Sequence, residues 1–334
     1  MAEERITLAH GNGGRLMREL IEGVFARHLQ HADLDVQSDA APFELGGGTP
    51  YVSTDGFTVQ PLFFPGGSIG ALAVHGTVND LAVAGATPRY LTVNAFIEEG
   101  LALADLDRLV ADLAAAAREA GVAVLAGDTK VVPRGEGSGL YLATTGIGVR
   151  PAGVELGLDR VRPGDSVLIS GPVGDHGTAV MLAREQFGLR GELVSDAASV
   201  QGLAEAVRTL PGLRFLRDPT RGGLATVAHE IAQARTATVR LLEAEVPVRD
   251  PVQAVCEMLG YDPYYLACEG RVVAVAAPEA AEAVLAAWRA LPEGAEAAEI
   301  GRVEAGPAEV VLETELGGER VLEELEDDPL PRIC

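Results

Sequence analysis

Apolar and polar residues follow two periods along this chain, and each period predicts one kind of secondary structure. In the first part, apolar positions recur at helical spacing over residues 15–29 and 103–120. Shorter apolar runs at 51–54, 122–126 and 140–149 are typical of strands. The first part of the chain therefore mixes helices with strands.

The same alternation continues beyond a turn-rich stretch at 151–164, which we take as a domain boundary. An apolar run at 166–170 predicts a strand, with a glycine-rich turn and a helix after it. Residues 221–234 have helical periodicity, 271–276 resemble a strand, and 278–290 a further helix. This layering predicts an α/β (α+β) fold.

Length and tail composition suggest how the chain is divided. We expect a domain at 1–155, an α/β domain at 156–320 and a flexible tail at 321–334 that ends in Cys334. Acidic residues and two prolines in the tail disfavour a packed core. Fourteen extended residues could reach about 45 Å, so this tail would be an arm with a thiol at its tip.

Overall composition excludes several classes of protein. A net charge of −23 should repel nucleic acid and anionic membranes. The sequence has no apolar run long enough to span a membrane and no signal-peptide pattern at its start. The three cysteines, Cys256, Cys268 and Cys334, are too few for a disulfide framework and fit a reducing cytoplasm. We expect a cytoplasmic protein.

Lysine usage is unusual. Of the 26 basic residues, 25 are arginine and one is lysine, Lys130. Arginine cannot replace a lysine whose compact charge or exchangeable proton is needed. Retention by chance is the alternative, but the polar neighbours of Lys130 favour a functional role.

Several acidic residues stand where we predict strands to end, often beside glycine. They are Asp39, Asp55, Asp80 and Asp128, the last in Gly-Asp-Thr-Lys. Such carboxylates suit magnesium held against nucleotide phosphates. Any single Asp-Gly is also an ordinary turn, so the prediction depends on the group.

Glycine-rich segments offer further candidate phosphate sites. The sequence has no P-loop motif. His-Gly-Asn-Gly-Gly at 10–14 precedes the first predicted helix and could cradle phosphate. Segments 171–177 and 218–223 each precede a helix, and both could be simple tight turns.

Two further segments place polar groups in apolar surroundings. His75 to Leu81 carries His75, Asn79 and Asp80 within an apolar helix, as either a site wall or a satisfied buried network. Glu269 follows an apolar run and could be buried and basic enough to abstract a proton, or could be a turn residue. Cys256 is expected in a core, and Cys268 in a core or lining a site.

Taken in order, these pieces resemble the HypE family of hydrogenase maturation factors. The matching segments span almost the whole chain and lie at 10–14, 63–67, 74–81, 127–131, 174–177, 217–223 and 331–334. The terminal Pro-Arg-Ile-Cys is the most specific of them. The fold is similar to that of aminoimidazole ribonucleotide synthetase, selenophosphate synthetase and thiamine-monophosphate kinase.

The resemblance implies an N-terminal ATP domain that dimerises through a β-barrel and a C-terminal α/β domain. It implies ATP-dependent dehydration of a thiocarboxamide on Cys334 to a thiocyanate, which supplies cyanide ligands for the iron of nickel–iron hydrogenase. The partner HypF would load the carbamoyl group, and the HypC–HypD complex would receive the cyano group. A homodimer is expected.

Roles follow for the candidate residues. Besides Cys334, Lys130 would stabilise charge on the leaving oxygen and Glu269 is the candidate base. Mg2+ would be held by Asp55, Asp80 and Asp128. The expected ATP-site residues are Asp39, Asp55, His75, Asn79, Asp80, Asp128, Thr129 and Arg221.

Two alternatives stay open at this point. One is another enzyme of the same fold, a small-molecule kinase or an amide-activating synthetase, for which a tail ending in cysteine has no use. A selenophosphate synthetase would have a reactive cysteine near its N-terminus, whereas the first cysteine here is Cys256. The other alternative is a non-catalytic carrier of the carbamoyl or cyano group, against which Lys130 and the aspartates argue.

Overall fold

The computed structural model describes residues 4–31, 34, 36, 40–184 and 192–325. The chain divides into two compact units, with the main break between Arg150 and Pro151. The first unit runs to Leu81 and continues over 86–150, and the second contains 82–85 and the chain from 151 onward. No helix in the described ranges is long and apolar enough to cross a membrane.

The first unit has a four-stranded sheet in the order β1-β6-β4-β5 and a separate short hairpin, β2-β3. β4 and β5 are parallel and α3 connects them, whereas β6 is antiparallel to both of its neighbours. The strands are β1 Thr49–Phe57, β2 Phe63–Phe64, β3 Gly67–Ser68, β4 Thr87–Glu98, β5 Ala123–Val132 and β6 Leu140–Arg150. The helices are α1 Arg15–Leu20, continued by a π-helical segment Ile21–Ala26, α2 Ile69–Val83 and α3 Leu103–Glu119.

Helix α2 packs on one face of this sheet, and buried hydroxyls fix the contact. Thr77 Oγ1 lies 2.5 Å from Thr144 Oγ1 of β6, which also donates to the Ala73 carbonyl at 3.2 Å. Alternate residues of β4 are buried, as expected for a strand with one face covered. The strands form an open sheet, and no closed barrel is found in the described part of the chain. A barrel completed by a second copy stays a prediction.

The second unit has a seven-stranded mixed sheet in the order β13-β12-β9-β11-β7-β10-β8. The strands are β7 Ser166–Ile169, β8 Leu213–Arg217, β9 Thr238–Leu242, β10 Val273–Ala276, β11 Ala298–Glu304, β12 Glu309–Glu313 and β13 Glu319–Val321. The helices are α4 Asp175–Ala183, α5 Gln201–Val207, α6 Gly223–Arg235, α7 Asp250–Leu259 and α8 Pro278–Arg289.

Both faces of the central strands of this sheet are buried. In β7, Val167 and Ile169 belong to one apolar cluster, and Leu168 between them belongs to another. In β10, Val273 and Ala274 divide in the same way. Strands covered on two faces appear in sequence as short continuous apolar runs, which is how both were predicted. The mixed α/β class is confirmed.

Two predicted strands extend further than their apolar runs. β1 continues through Asp55 to Phe57, and β5 continues through Asp128 and Lys130 to Val132. These residues therefore lie within strands rather than beyond their ends, and Asp80 lies in α2. The strand-end prediction is therefore wrong for Asp55, Asp80 and Asp128; in the last case β5 keeps pairing with β4 through this polar stretch. A strand with an exposed face tolerates polar residues at alternate positions.

Candidate functional site

In the first unit, Lys130 and Asp128 form an ion pair on one face of β5. Lys130 Nζ lies 2.8 Å from Asp128 Oδ2, and both side chains are more than half exposed. The hydrogen bond from Lys130 is the main cause that lowers the pKa of Asp128, and the backbone N–H of Thr129 adds to it. The pair therefore presents a fixed ammonium beside an ionised carboxylate at the surface of the first unit.

Thr129 points to the opposite face of β5 and is buried. Its Oγ1 has no hydrogen-bond partner among the described residues. With Asp128, it lines a cavity of about 150 Å³ whose other walls are largely apolar, including Phe25 and Leu125. A buried hydroxyl without a partner is costly, and a polar ligand atom could satisfy it.

The glycine-rich segment 10–14 lies against the same strand. A Cβ added to Gly11 would lie 2.9 Å from Cβ of Val131, the residue after Lys130, so the close approach requires glycine. Gly127 is similarly required, because its Cβ would lie 2.3 Å from the Val93 carbonyl. The tertiary structure thus places a glycine-rich segment beside Lys130, an arrangement whose donors suit phosphate.

Asp55 and Asp80 both lie in the region where β1 meets α2. Asp80 Oδ2 accepts a hydrogen bond from Ser53 Oγ at 2.5 Å, and Asp55 Oδ1 accepts one from the Gly56 N–H at 2.7 Å. Gly76 of α2 allows the close approach, since a Cβ there would lie 2.8 Å from the Phe57 ring and 3.9 Å from Asp55 Oδ2. These oxygen ligands are of the type that Mg2+ prefers.

Asp128 does not join them within one copy of the chain. Across the sheet, Asp55 pairs with Thr144, Thr144 with Val93, and Val93 with Gly127. Asp128 follows Gly127 and so lies on the opposite face, roughly 14 Å away at three strand spacings. Among the described residues, no three His, Cys, Asp or Glu side chains are grouped to hold a metal ion. The predicted metal trio is therefore split into two places.

His75 and Asn79 occupy successive turns of α2, and both are buried. Burial lowers the pKa of His75, while Glu119 acts in the opposite direction. His75 Nδ1 has no hydrogen-bond partner in the described part of the protein. A neutral imidazole with a free ring nitrogen fits the predicted site wall better than a satisfied structural network.

In the second unit, Glu269 is buried, with 3% of its surface exposed. Its backbone N–H donates to Asp196 Oδ1 at 3.1 Å, and the N–H of Gly270 donates to Asp196 Oδ2 at 3.3 Å. The Glu269 carbonyl accepts from the Ala198 N–H at 3.3 Å. Burial of the candidate base is as expected, and its backbone is tightly held.

Arg221 lies in the loop 218–223 that precedes α6, and it is exposed. The loop packs closely on the segment before Glu269. The Cys268 N–H donates to the Pro219 carbonyl at 3.0 Å, and a Cβ on Gly223 would lie 2.6 Å from the Leu266 carbonyl. The loop thus positions Arg221 next to the segment that carries Glu269, within one unit.

Cys256 and Cys268 are both buried. Burial raises the pKa of Cys256 to about 12 and that of Cys268 well above its ordinary value. Cys268 Sγ also accepts a hydrogen bond from the Gly174 N–H at 3.3 Å. Both thiols therefore stay protonated near neutral pH, which fits the core position expected for Cys256 and favours a core role for Cys268.

The segment expected to begin the flexible tail is docked on the second unit. Val321 belongs to β13, and Leu322 is fully buried. The Leu322 carbonyl lies 2.9 Å from His229 Nε2, and the Glu323 carbonyl accepts from the Tyr265 hydroxyl at 2.6 Å. An arm can therefore begin no earlier than residue 326.

Two predicted site residues, Asp39 and Cys334, lie outside the described residues. Sequence reasoning also missed Asp196, which contacts the backbone of the candidate base. Asp196 lies 73 residues before Glu269 and has no glycine beside it. Its sequence neighbourhood therefore contains no local signal of this role.

Comparison with known proteins identifies the family. Residues 37–150 match the N-terminal domain model of the AIR synthase related proteins, and 162–313 match the C-terminal one. The carbamoyl dehydratase HypE of Azotobacter vinelandii is 49% identical over 331 residues, covering 98% of this chain and 97% of that protein.

Solved structures agree with this. Hydrogenase maturation protein HypE in complex with ATP superposes with a TM-score of 0.93 at 46% identity, over 98% of this chain and 99% of that one. A HypE chain from a HypE–HypF complex gives 0.80 at 43%, over 92% and 99%. A thiamine-monophosphate kinase of Stenotrophomonas maltophilia shares the fold alone, at 22% identity and 0.66 over 94% and 99%. The chain belongs to the HypE family within the AIR synthase related proteins.

Proposed function

We propose that this protein is an ATP-dependent carbamoyl dehydratase of hydrogenase maturation. It converts a thiocarboxamide on Cys334 into a thiocyanate, the source of the cyanide ligands for the hydrogenase iron. The observation that carries this proposal is the 49% identity, over nearly all of both chains, to a carbamoyl dehydratase. The ion pair of the single lysine with Asp128 supports it from the structure.

ATP fits the residues of the first unit. The partnerless Thr129 hydroxyl, the apolar cavity beside it and the glycine-rich segment 10–14 together offer polar and apolar contacts for a nucleotide. Asp55 and Asp80 would hold Mg2+, which would offset the negative charge of the nucleotide phosphates. His75 and Asn79 would add contacts in this unit, and Arg221 of the second unit stays a predicted ATP-site residue. When bound, ATP supplies the phosphoryl group that makes the amide oxygen a leaving group.

The dehydration has simple requirements. The carbon–oxygen bond breaks, both protons leave nitrogen, and the carbon–nitrogen bond becomes triple. Lys130 offsets the negative charge that develops on the departing oxygen. Glu269, which is buried, accepts one proton from nitrogen, and the other passes to the released phosphate.

Partners follow from this chemistry. A carbamoyltransferase of the HypF type must load Cys334, as a complex of HypE with HypF suggests. A HypC–HypD complex would take the cyano group. We propose that the protein acts in the cytoplasm as a homodimer.

The decisive experiment is mass spectrometry of the peptide that ends in Cys334. The protein is carbamoylated with HypF and carbamoyl phosphate, repurified, and then given either ATP or a non-hydrolysable analogue. We expect the carbamoylated peptide to lose one water with ATP but not with the analogue. The Cys334→Ser variant should remain unmodified at every step.

The alternatives give different results in this experiment. A carrier would keep the carbamoyl group unchanged in ATP. A small-molecule kinase would leave Cys334 unmodified and transfer phosphate to another compound. Either result would refute the proposed function.

A further inference from the structure

The backbone at Glu269 is held by a buried carboxylate that belongs to a distant part of the chain. Asp196 spans two successive amides, accepting from the N–H of Glu269 and of Gly270 with separate oxygens. Its side chain is only 1% exposed. A two-oxygen acceptor matched to two adjacent donors fixes both the position and the orientation of this turn.

The turn has no space in which to move. A Cβ on Gly270 would lie 1.9 Å from the main-chain oxygen of Asp196, so the two segments are in direct backbone contact. The Ala198 N–H also donates to the Glu269 carbonyl. The segment 196–198 therefore bonds both the N–H and the carbonyl of the residue that carries the candidate base.

That segment is itself anchored. His176 Nδ1 lies 2.8 Å from Ser195 Oγ, which also accepts from the Ala197 N–H at 3.0 Å. Arg271 Nε lies 3.4 Å from Asp196 Oδ2 and offsets its charge. His176 belongs to the Gly-Asp-His-Gly motif at 174–177, to which the proposed chemistry assigns no role. In this structure the motif helps to hold the segment 195–198 in place through the contact of His176 with Ser195.

We infer that Asp196 is a positioning residue for Glu269, holding the backbone from which the base reaches the substrate nitrogen. The inference rests on the proposed function, because it assumes that Glu269 removes the proton. Asparagine cannot replace aspartate here, since its amide offers one acceptor oxygen and sets an NH2 against the second N–H.

The test compares Asp196→Asn with Asp165→Asn in the full-length carbamoylated protein. Asp165 is a matched control because it is also a buried carboxylate of the second unit. It accepts from the Arg162 N–H at 2.8 Å and lies 3.7 Å from Arg214 Nε, and burial raises its pKa as it does that of Asp196. Both changes should lower the free energy of unfolding, but only Asp196→Asn should also disturb the backbone of Glu269.

Single-turnover dehydration is followed by loss of water from the peptide that ends in Cys334. We expect Asp196→Asn to slow it by about 10- to 100-fold, since small misplacements of a catalytic group have effects of this size. The KM for ATP and the rate of loading by HypF should not change. Asp165→Asn should keep the original dehydration rate.

The outcomes separate this inference from the proposed function. If Glu269→Gln retains full activity, the proposed base is wrong. If Glu269→Gln is inactive while folded Asp196→Asn has the original rate, the positioning role is refuted. Equal slowing by Asp165→Asn would also refute it. Should Asp196→Asn fail to fold, Ser195→Ala loosens the same segment, and an unchanged rate there would contradict the inference.

Discussion

Lys130 stands on an exposed face, in a chain whose 25 other basic residues are arginine. Within one copy of the chain, an exposed ion pair such as Lys130–Asp128 contributes less than about 1 kcal/mol to stability, so folding of that copy does not explain the choice of lysine. Lysine differs from arginine in having a compact ammonium group, and this difference matters for chemistry on a ligand. At the scale of the residue, Lys130 is therefore best explained by what it does to a ligand.

Replacing Lys130 by arginine tests this directly. We expect the dehydration rate to fall about 100-fold, because the planar guanidinium cannot place its charge at the same point. Thermal unfolding should change little. The matched control is Arg302→Lys, since Arg302 forms a 2.6 Å pair with Glu304 two residues along β11. An unchanged rate in Lys130→Arg would remove the lysine from the chemistry.

Thiol reactivity should single out Cys334. The raised pKa values of Cys256 and Cys268 leave almost no thiolate, the nucleophilic form, at pH 8, and both groups are buried. Titration of the native protein with a thiol reagent should show one fast equivalent that Cys334→Ser abolishes. Three equivalents should react after denaturation. Fast labelling of two thiols in the native protein would contradict this expectation.

At the scale of the element, α2 brings several predicted site residues together. Its polar residues point in different directions, Asp80 towards β1 and Thr77 towards β6. Close packing is possible because Gly70 and Gly76 lie where the helix approaches its neighbours. The positions of the polar residues of α2 therefore depend on how closely the helix packs against its neighbours.

The two glycines Gly70 and Gly23 should respond oppositely to alanine. A Cβ on Gly70 would lie 2.1 Å from the Leu109 carbonyl, so Gly70→Ala should lower the free energy of unfolding by about 1–3 kcal/mol. Gly23, in the helical segment after α1, has no atom within 4 Å of its Cβ position. Gly23→Ala should raise that free energy by about 0.5–1 kcal/mol.

Urea unfolding of both alanine variants measures these changes, and the dependence of the free energy of unfolding on urea concentration should be the same in both. The packing account of α2 would be wrong if Gly70→Ala were as stable as the parent protein. Activity of Gly70→Ala should fall together with its stability, because α2 carries Asp80, His75 and Asn79.

At the scale of the whole molecule, the open face of the four-stranded sheet suggests where a second copy binds. Val52 is 71% exposed and Phe96 is 40% exposed. Register places both on the face away from α2, where Val52 pairs with Ile147 and Phe96 with Tyr141. An exposed apolar face of this kind is typical of an interface.

Val52→Asp should therefore turn a dimer into a monomer at micromolar concentration, because a charge would be buried in the interface. Analytical ultracentrifugation measures the change. Leu316→Asp is the control, since Leu316 is 99% exposed in a turn of the second unit and its variant should stay dimeric. A monomeric parent protein would contradict the homodimer, and a dimeric Val52→Asp would place the interface elsewhere.

The docked segment through Leu325 also matters at this scale, because it shortens any arm. Residues 326–334 number nine, so their extended length is about 30 Å, compared with about 45 Å for fourteen. His229 and Tyr265 hold the carbonyls of Leu322 and Glu323, which precede residue 326.

The mixed α/β class, most of the described helices, five of the thirteen described strands and the family could be predicted from the sequence. These depend on local periodicity and on short motifs, both of which can be seen along the chain. The importance of Lys130 was also visible, because composition alone made it exceptional. The apolar run before Glu269 indicated that it could be buried, with a turn position as the alternative, and the structure shows that it is buried.

Which residues meet depends on contacts between distant segments, and those could be seen only in the folded chain. Strand pairing extended β5 through Asp128, and alternation then set this carboxylate on the face opposite Asp55. The hydrogen bond from the Glu269 N–H to the Asp196 carboxylate joins residues 73 positions apart. Such contacts are made by hydrogen bonds and packing between distant segments, which no local pattern records. The sequence therefore indicated the chemistry, and the fold decided where each group acts.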